Sequence, residues 1–137
     1  MEIKEFGELL YNLKIIDQRL INIFEEEIGV SLTRYQILMY LNEVSICTQR
    51  KLGEFLKIDA AAITRHLKIL ENKGYIIRCR NEKNNREIYV KVTNYAKSEI
   101  KKCDKNTNIR DIINEKFTDE DLKNLVKLLS KFSENIK

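Results

Sequence analysis

The sequence predicts a mainly α protein with a small β-hairpin, an α+β arrangement, on three observations. Two short helix patterns follow one another between Thr48 and Gly74, a strand pair follows them between Tyr75 and Val92, and long apolar helical stripes stand at both ends of the 137 residues. That length suits a single domain, residues 1–137, with a moderate core.

At the N-terminus Phe6, Leu9, Leu10, Leu13, Ile16, Leu20, Ile23 and Phe24 recur at spacings of three and four, the pattern of a long amphipathic helix. A second helix is expected to start at Thr33, with a capping box to Gln36 and a staple between Leu32 and Ile37. Thr48 can cap a third helix, in which Leu52, Phe55 and Leu56 share a face, and Lys57-Ile58 then forms a turn. Asp59 can cap a fourth, with Ile58 and Ile63 stapled across the cap. Along it Ile63, Leu67 and Leu70 lie on one face up to Gly74, which leaves Ala60, Ala61, Thr64, Arg65 and Lys68 on the other.

Tyr75 to Arg80 is rich in strand formers. Arg86 to Val92 alternates, Ile88, Val90 and Val92 against Glu87, Tyr89 and Lys91. Asn81-Glu82-Lys83-Asn84-Asn85 forms the tip, which asparagines can close because they tolerate the left-handed conformation. At the C-terminus Thr118 and Asp121 form a capping box, Phe117 can staple to Leu122, and Leu125, Val126, Leu128, Leu129 and Phe132 extend an apolar face.

Helix, turn, helix and basic-tipped hairpin in that order make a winged helix-turn-helix, expected over residues 31–94, with further helices at 1–30 and 95–137. A helix laid in the major groove of double-stranded DNA needs small residues where its backbone nears the bases and long donors where base edges or phosphates are reached. Ala60, Ala61, Thr64, Arg65 and Lys68 meet that need, the alanines and the threonine methyl suiting thymine methyls. Gln49, Arg50 and Lys73 are expected to anchor phosphates. Arg86, helped by Lys83, is expected to enter the minor groove. Alanine is also the best helix former, so that face read alone is equally an ordinary solvated one, and the hairpin lysine a guard against edge pairing.

Charge distribution favours the DNA reading. Residues 47–102 hold fourteen Lys/Arg against six Asp/Glu, while residues 1–46 hold four against eight. The overall +4 therefore conceals a basic middle, set where the groove-reading elements fall.

The chain resembles the MarR family of transcriptional regulators, and the resemblance covers nearly its whole length. It is carried by Leu32-Thr33-Arg34-Tyr35-Gln36-Ile37-Leu38 with Leu41, by Lys51-Leu52-Gly53-Glu54-Phe55-Leu56, by Ile63-Thr64-Arg65 and the run Leu70 to Arg78, and by Asn84-Asn85-Arg86 followed by Val92-Thr93. Two positions depart: the family's Asp-Arg-Arg wing reads Asn84-Asn85-Arg86, and its glycine three residues after Thr93 is Ala96. The resemblance implies a homodimer joined through the helices at 1–30 and 95–137. It also implies a repressor that leaves a palindromic operator when a small aromatic or anionic effector binds. Tyr11, Tyr35 and Tyr40 lie on the helices that would border such a pocket, but aromatic residues at helical spacing are more often core, and the sequence does not identify the effector's contacts. The wide apolar stripes at both ends point independently to a second copy, or else to packing on one another.

Other classes have less to stand on. No run of about 18 apolar residues suits a membrane span, and the charged start does not look like a secretion signal, so a cytoplasmic protein without membrane contact is expected. With four glycines and no proline there is no phosphate-cradling loop or dinucleotide fingerprint, and no cofactor is expected. His66, the only histidine, reads as packed or phosphate-contacting, and Glu25, Glu26 and Glu27 splay around a helix end, so no enzymatic activity is expected. Cys47, Cys79 and Cys103 match no zinc spacing and leave an odd thiol. Packed thiols are expected, with redox sensing through one of the three as an alternative; Cys79 lies between Arg78 and Arg80, whose charges could favour its thiolate, but strand alternation turns it away from them. Two rivals remain: a winged helix that docks an acidic protein, and a thiol-dependent enzyme with a reactive cysteine near His66.

Overall fold

A computed structural model describes residues 1–84 and 86–137; Asn85, the middle of the wing-tip motif, lies outside the described residues. The chain divides into two compact units, Met1–Thr107 and Asn108–Lys137.

The first unit opens with α1 (Ile3–Ile28), the long N-terminal helix the apolar stripe predicts. It is followed by α2 (Leu32–Val44). The cap of α2 is Ser31, whose hydroxyl accepts from Arg34 N–H at 3.3 Å, and not Thr33 as expected. Ser31 and Thr33 offer the same chemistry; what selects the earlier start is the Glu25 carboxylate of α1, which takes the Leu32 N–H at 2.7 Å. Phe24 and Tyr35 meet edge to face at 5.2 Å beside this joint.

A strand the sequence did not announce comes next, β1 (Ile46–Thr48). Then follow α3 (Gln49–Leu56), α4 (Ala60–Asn72), β2 (Ile76–Arg80), β3 (Ile88–Val92) and α5 (Asn94–Asn106). The sheet is therefore three-stranded and antiparallel, in the order β1-β3-β2, rather than a two-stranded hairpin. Val90 at its centre faces Cys47 of β1 on one side and Arg78 of β2 on the other.

Both short helices start where their caps predict: Thr48 Oγ1 accepts from Lys51 N–H at 3.1 Å and Asp59 Oδ1 from Ala62 N–H at 2.9 Å. Lys57 turns the chain between them in the left-handed conformation, φ 57°. The helices cross closely at Gly53, where a Cβ would stand 3.1 Å from the Ile58 carbonyl oxygen. Gly74, at φ 78°, releases the chain from α4 into β2. Thr93 ties that exit to α5: its hydroxyl donates to Gly74 O at 2.8 Å and accepts from Ala96 N–H at 3.1 Å.

One core joins these elements. Ile37 and Leu41 of α2, Leu52 of α3, Leu67 and Leu70 of α4 and Val90 of β3 are fully buried. Each is worth about 1.5–3 kcal/mol against exposure, which is what holds two helices of this length in place. Ile63, Ile76, Val92, Ala96 and Ile100 complete it, with Ile58 packed against its edge as the staple requires.

The second unit holds a short 3-10 turn, Ile109–Asp111, and α6 (Asp119–Glu134), capped by the predicted Thr118–Asp121 box. Arg110 spans the two, donating to Phe117 O at 2.7 Å and pairing with Asp119 at the helix start. Val126 and Leu128 of α6 are about two-thirds exposed.

Candidate nucleic-acid interface

The stripe Ile63, Leu67, Leu70 fixes how α4 is turned, and so fixes its opposite face: Ala60, Ala61, Thr64, Arg65 and Lys68 are all exposed. A groove of about 750 Å³ runs beside that face, between the start of α3, the start of α4 and the base of the wing. Of the expected site residues it brings together Gln49, Arg50, Ala60, Thr64 and Arg86. Ala61, Arg65, Lys68, Lys73 and Lys83 lie outside its walls; Lys73 is the exposed C-cap of α4, and Lys83 stands exposed on the wing. Lys57 and the carboxylates of Glu54, Asp59 and Glu87 also line the groove, so its charges are balanced and the cationic excess lies around it.

Two expected anchors have partners within the protein. Arg50 pairs with Glu54 one turn along α3 at 3.1 Å, an exposed contact that screening makes weak. The Gln49 amide donates to Thr64 Oγ1 at 2.9 Å, and Thr64 Oγ1 in turn donates to Ala60 O at 2.9 Å.

Of the three asparagines expected to close the wing tip, Asn85 lies outside the described residues. Among the described residues only Ser45 and Lys57 have a positive φ without being glycine, so neither Asn81 nor Asn84 is left-handed. Instead Asn81 Oδ1 takes the Lys83 N–H at 3.0 Å and Asn84 Oδ1 takes the Arg86 N–H at 3.1 Å. Asn81 also donates to the Glu87 carboxylate at 3.0 Å, which bridges the two sides of the hairpin. These side-chain bonds add to a backbone turn bond across the tip, from Glu87 N–H to Asn84 O at 3.0 Å.

Sequence reasoning missed three contacts that brace this surface. Arg78 grips Glu71, at the end of α4, through two hydrogen bonds of 3.0 and 3.2 Å, and that guanidinium holds the Glu71 carboxyl below its usual range. Arg34 of α2 reaches His66, its Nη1 lying 3.4 Å from Nδ1. His66 is half-buried, and burial first, then the nearby Arg34 and Arg65 charges, lower its pKa. Tyr40 stacks on Phe55 with ring centres 4.2 Å apart.

A second cavity, of about 390 Å³, lies between the end of α1, α2 and α5, lined by Tyr35, Tyr75, Glu27, Glu99, Lys102 and Cys103 among others. Of Tyr11, Tyr35 and Tyr40 only Tyr35 lines it; Tyr40 stacks on Phe55, and Tyr11 is exposed on α1. Cys47 is packed as expected, and burial pushes its thiol up. Cys79 is exposed rather than packed, and Cys103 half-buried. Among the described residues no group of His, Cys, Asp and Glu could hold a metal ion, and no helix is long and apolar enough to cross a membrane.

Residues 30–88 match the family model described as the MarR family. An HTH-type transcriptional regulator of Bacillus subtilis, itself uncharacterized, is 35% identical over 74% of this chain, a match spanning 62% of the relative's own length. The HTH-type transcriptional regulator SarZ of Staphylococcus epidermidis is 32% identical over 78% of this chain and 72% of its own. In three dimensions a MarR mutant from E. coli, crystallised with operator DNA, superposes with a TM-score of 0.77 at 22% identity, over 95% of this chain and 94% of that one. The helix-turn-helix, the wing and the matched sequence agree, and the chain belongs to the MarR family.

Proposed function

We propose that the protein is a homodimeric transcriptional regulator that represses by binding a palindromic operator in double-stranded DNA and is released by a small aromatic or anionic molecule. The observation that carries this reading is the exposed face of α4, small residues flanked by Arg65 and Lys68, set beside a groove that Arg86 of the wing also lines. In it Ala60, Ala61, Thr64, Arg65 and Lys68 face bases, Arg50 and Lys73 hold phosphates, and Arg86 with Lys83 enters the minor groove. The related MarR protein crystallised with operator DNA favours the same partner.

Ile16 of α1 and Val126 and Leu128 of α6 are more than half exposed, apolar surface that a second copy would cover. Two copies about a twofold axis would set their reading helices about 34 Å apart, one turn of DNA. The cavity of about 390 Å³ is of a size for a small ligand, and Lys102 offers a cation to an anionic one. Such a ligand lowers operator affinity only by its preference for the dimer that does not fit DNA.

The test is selection of bound duplexes from a random pool by the purified protein at near-physiological salt. A palindrome with half-sites about one turn apart is expected. An unenriched pool, with the protein freed of any co-purified ligand, would overturn the reading in favour of a protein-docking winged helix.

A further inference from the structure

We infer that Gln49 is a positioning residue for base reading: it binds the Thr64 hydroxyl inside the protein, so that α4 offers DNA the Thr64 methyl group and not its O–H. The inference rests on the DNA-binding reading above, and it gives Gln49 a role other than phosphate anchoring.

A threonine hydroxyl has one proton to donate and two lone pairs. Here the proton goes to Ala60 O, one turn back on α4, at 2.9 Å, and a lone pair receives the Gln49 amide from α3, also at 2.9 Å. Reversing the amide of Gln49, so that its oxygen faces Thr64, leaves the conclusion intact: the hydroxyl proton would then go to Gln49 or stay with Ala60. In either arrangement no O–H remains for guanine, for thymine O4 or for a phosphate. The side chain is exposed nonetheless, and the methyl is the part of it without a partner inside the fold.

Gln49 is held to this task by its surroundings. It is the first residue of α3, directly after the Thr48 cap, and half-buried where the groove begins. Its Oε1 is buried and has no hydrogen-bond partner among the described residues, so the amide is turned inward toward α4 rather than out to solvent. The chemical group this arrangement recognises in the major groove is the C5-methyl of thymine.

The experiment uses the full-length protein and the duplex selected from the random pool, with each half-site thymine replaced in turn by deoxyuridine, which removes only the methyl. At one position wild-type affinity is expected to fall about fourfold, the size of one buried methyl. Thr64→Val keeps the methyl and should keep that ratio; Thr64→Ser lacks it and should bring the ratio to about one. Gln49→Ala and the bulkier Gln49→Met should both weaken the ratio while leaving the slope of affinity against salt unchanged, because no phosphate contact is lost.

A selected operator insensitive to every deoxyuridine overturns the inference and leaves the DNA-binding reading standing. So does a Thr64→Val protein that loses the ratio while Thr64→Ser keeps it, since the hydroxyl would then be the contact. An unchanged ratio in both Gln49 variants refutes the positioning role, as does a flattened salt slope, which marks a phosphate anchor. A pool with no enriched duplex takes the inference and the DNA-binding reading down together.

Discussion

Arg78 and Glu71 are joined by two hydrogen bonds, 3.0 Å from Nη2 and 3.2 Å from Nε, so that the first strand of the wing is fastened to the last turn of α4. Arg78 is four-fifths covered while Glu71 is more than a third exposed, so the pair falls between a surface and a buried bridge. A double-mutant cycle of Glu71→Gln with Arg78→Met should give a coupling of about 1 kcal/mol, discounted for that exposure. The Glu71 carboxyl is depressed from 4.5 chiefly by its hydrogen bond from Arg78. Its contribution is therefore complete above pH 4.5 and is lost as pH falls through the folded-state value. The stability gap between wild type and Glu71→Gln should close on acidification; a gap that is level from pH 7 to pH 3 refutes the pairing.

His66 titrates with the same sign from the opposite charge. Its folded pKa lies below 6.5 because burial, and then Arg34 and Arg65, disfavour the imidazolium. The unfolded chain takes up the proton first as pH falls, so stability is full above 6.5 and declines on acidification through the folded value. Denaturant midpoints measured from pH 7.5 to 5.5 should fall for wild type and fall less for His66→Gln. Parallel profiles would mean that folding does not lower the affinity of the ring for its proton.

Gly53 is where α3 and α4 touch. Gly53→Val places a branched side chain against the Ile58 carbonyl, which a Cβ already meets at 3.1 Å, and Ile63 Cγ2 lies 3.7 Å away. Overpacking of this kind costs about 1–3 kcal/mol. Urea denaturation should show it, and a wild-type midpoint would mean that the helices separate freely.

The two arginines of the proposed interface should fail differently. Arg65→Ala should cost about 1–3 kcal/mol on the selected operator and relax discrimination at one position, whereas Arg86→Ala should lower the salt slope by about one. Equilibrium titration across several salt concentrations separates them. Uniform weakening by Arg65→Ala would make it a phosphate contact.

Thiol alkylation at neutral pH should modify Cys79 first and Cys47 last, because Cys79 is exposed while Cys47 is packed with a raised pKa. Peptide mapping after short exposure reads the order. Early modification of Cys47 would show that β1 opens readily.

What could be read from residues alone was whatever rests on local chemistry. Thr48, Asp59 and Thr118 cap their helices because a short oxygen-bearing side chain before an apolar run has one good use. The inward stripe of α4 followed from its spacing, and with it the outward face. β1 was not legible, since three residues carry no periodicity and exist as a strand only because Cys47 finds Val90 across the sheet. Ser31 against Thr33 was undecidable without the Glu25 carboxylate, which arrives from another helix. The partners of Gln49 and Arg34 lie 15 and 32 residues away, beyond any local pattern. Their roles depended on how the helices cross.

β1 leads directly into α3, β2 follows α4 through Gly74, and both lie against β3. The helix pair is thereby clamped at its entrance and at its exit to one central strand. Tilting it against the wing would break strand pairs on one side or the other. The proposed ligand would therefore have to move the helix pair and the wing together, and variants that alter the response without altering the operator should be sought outside this clamp.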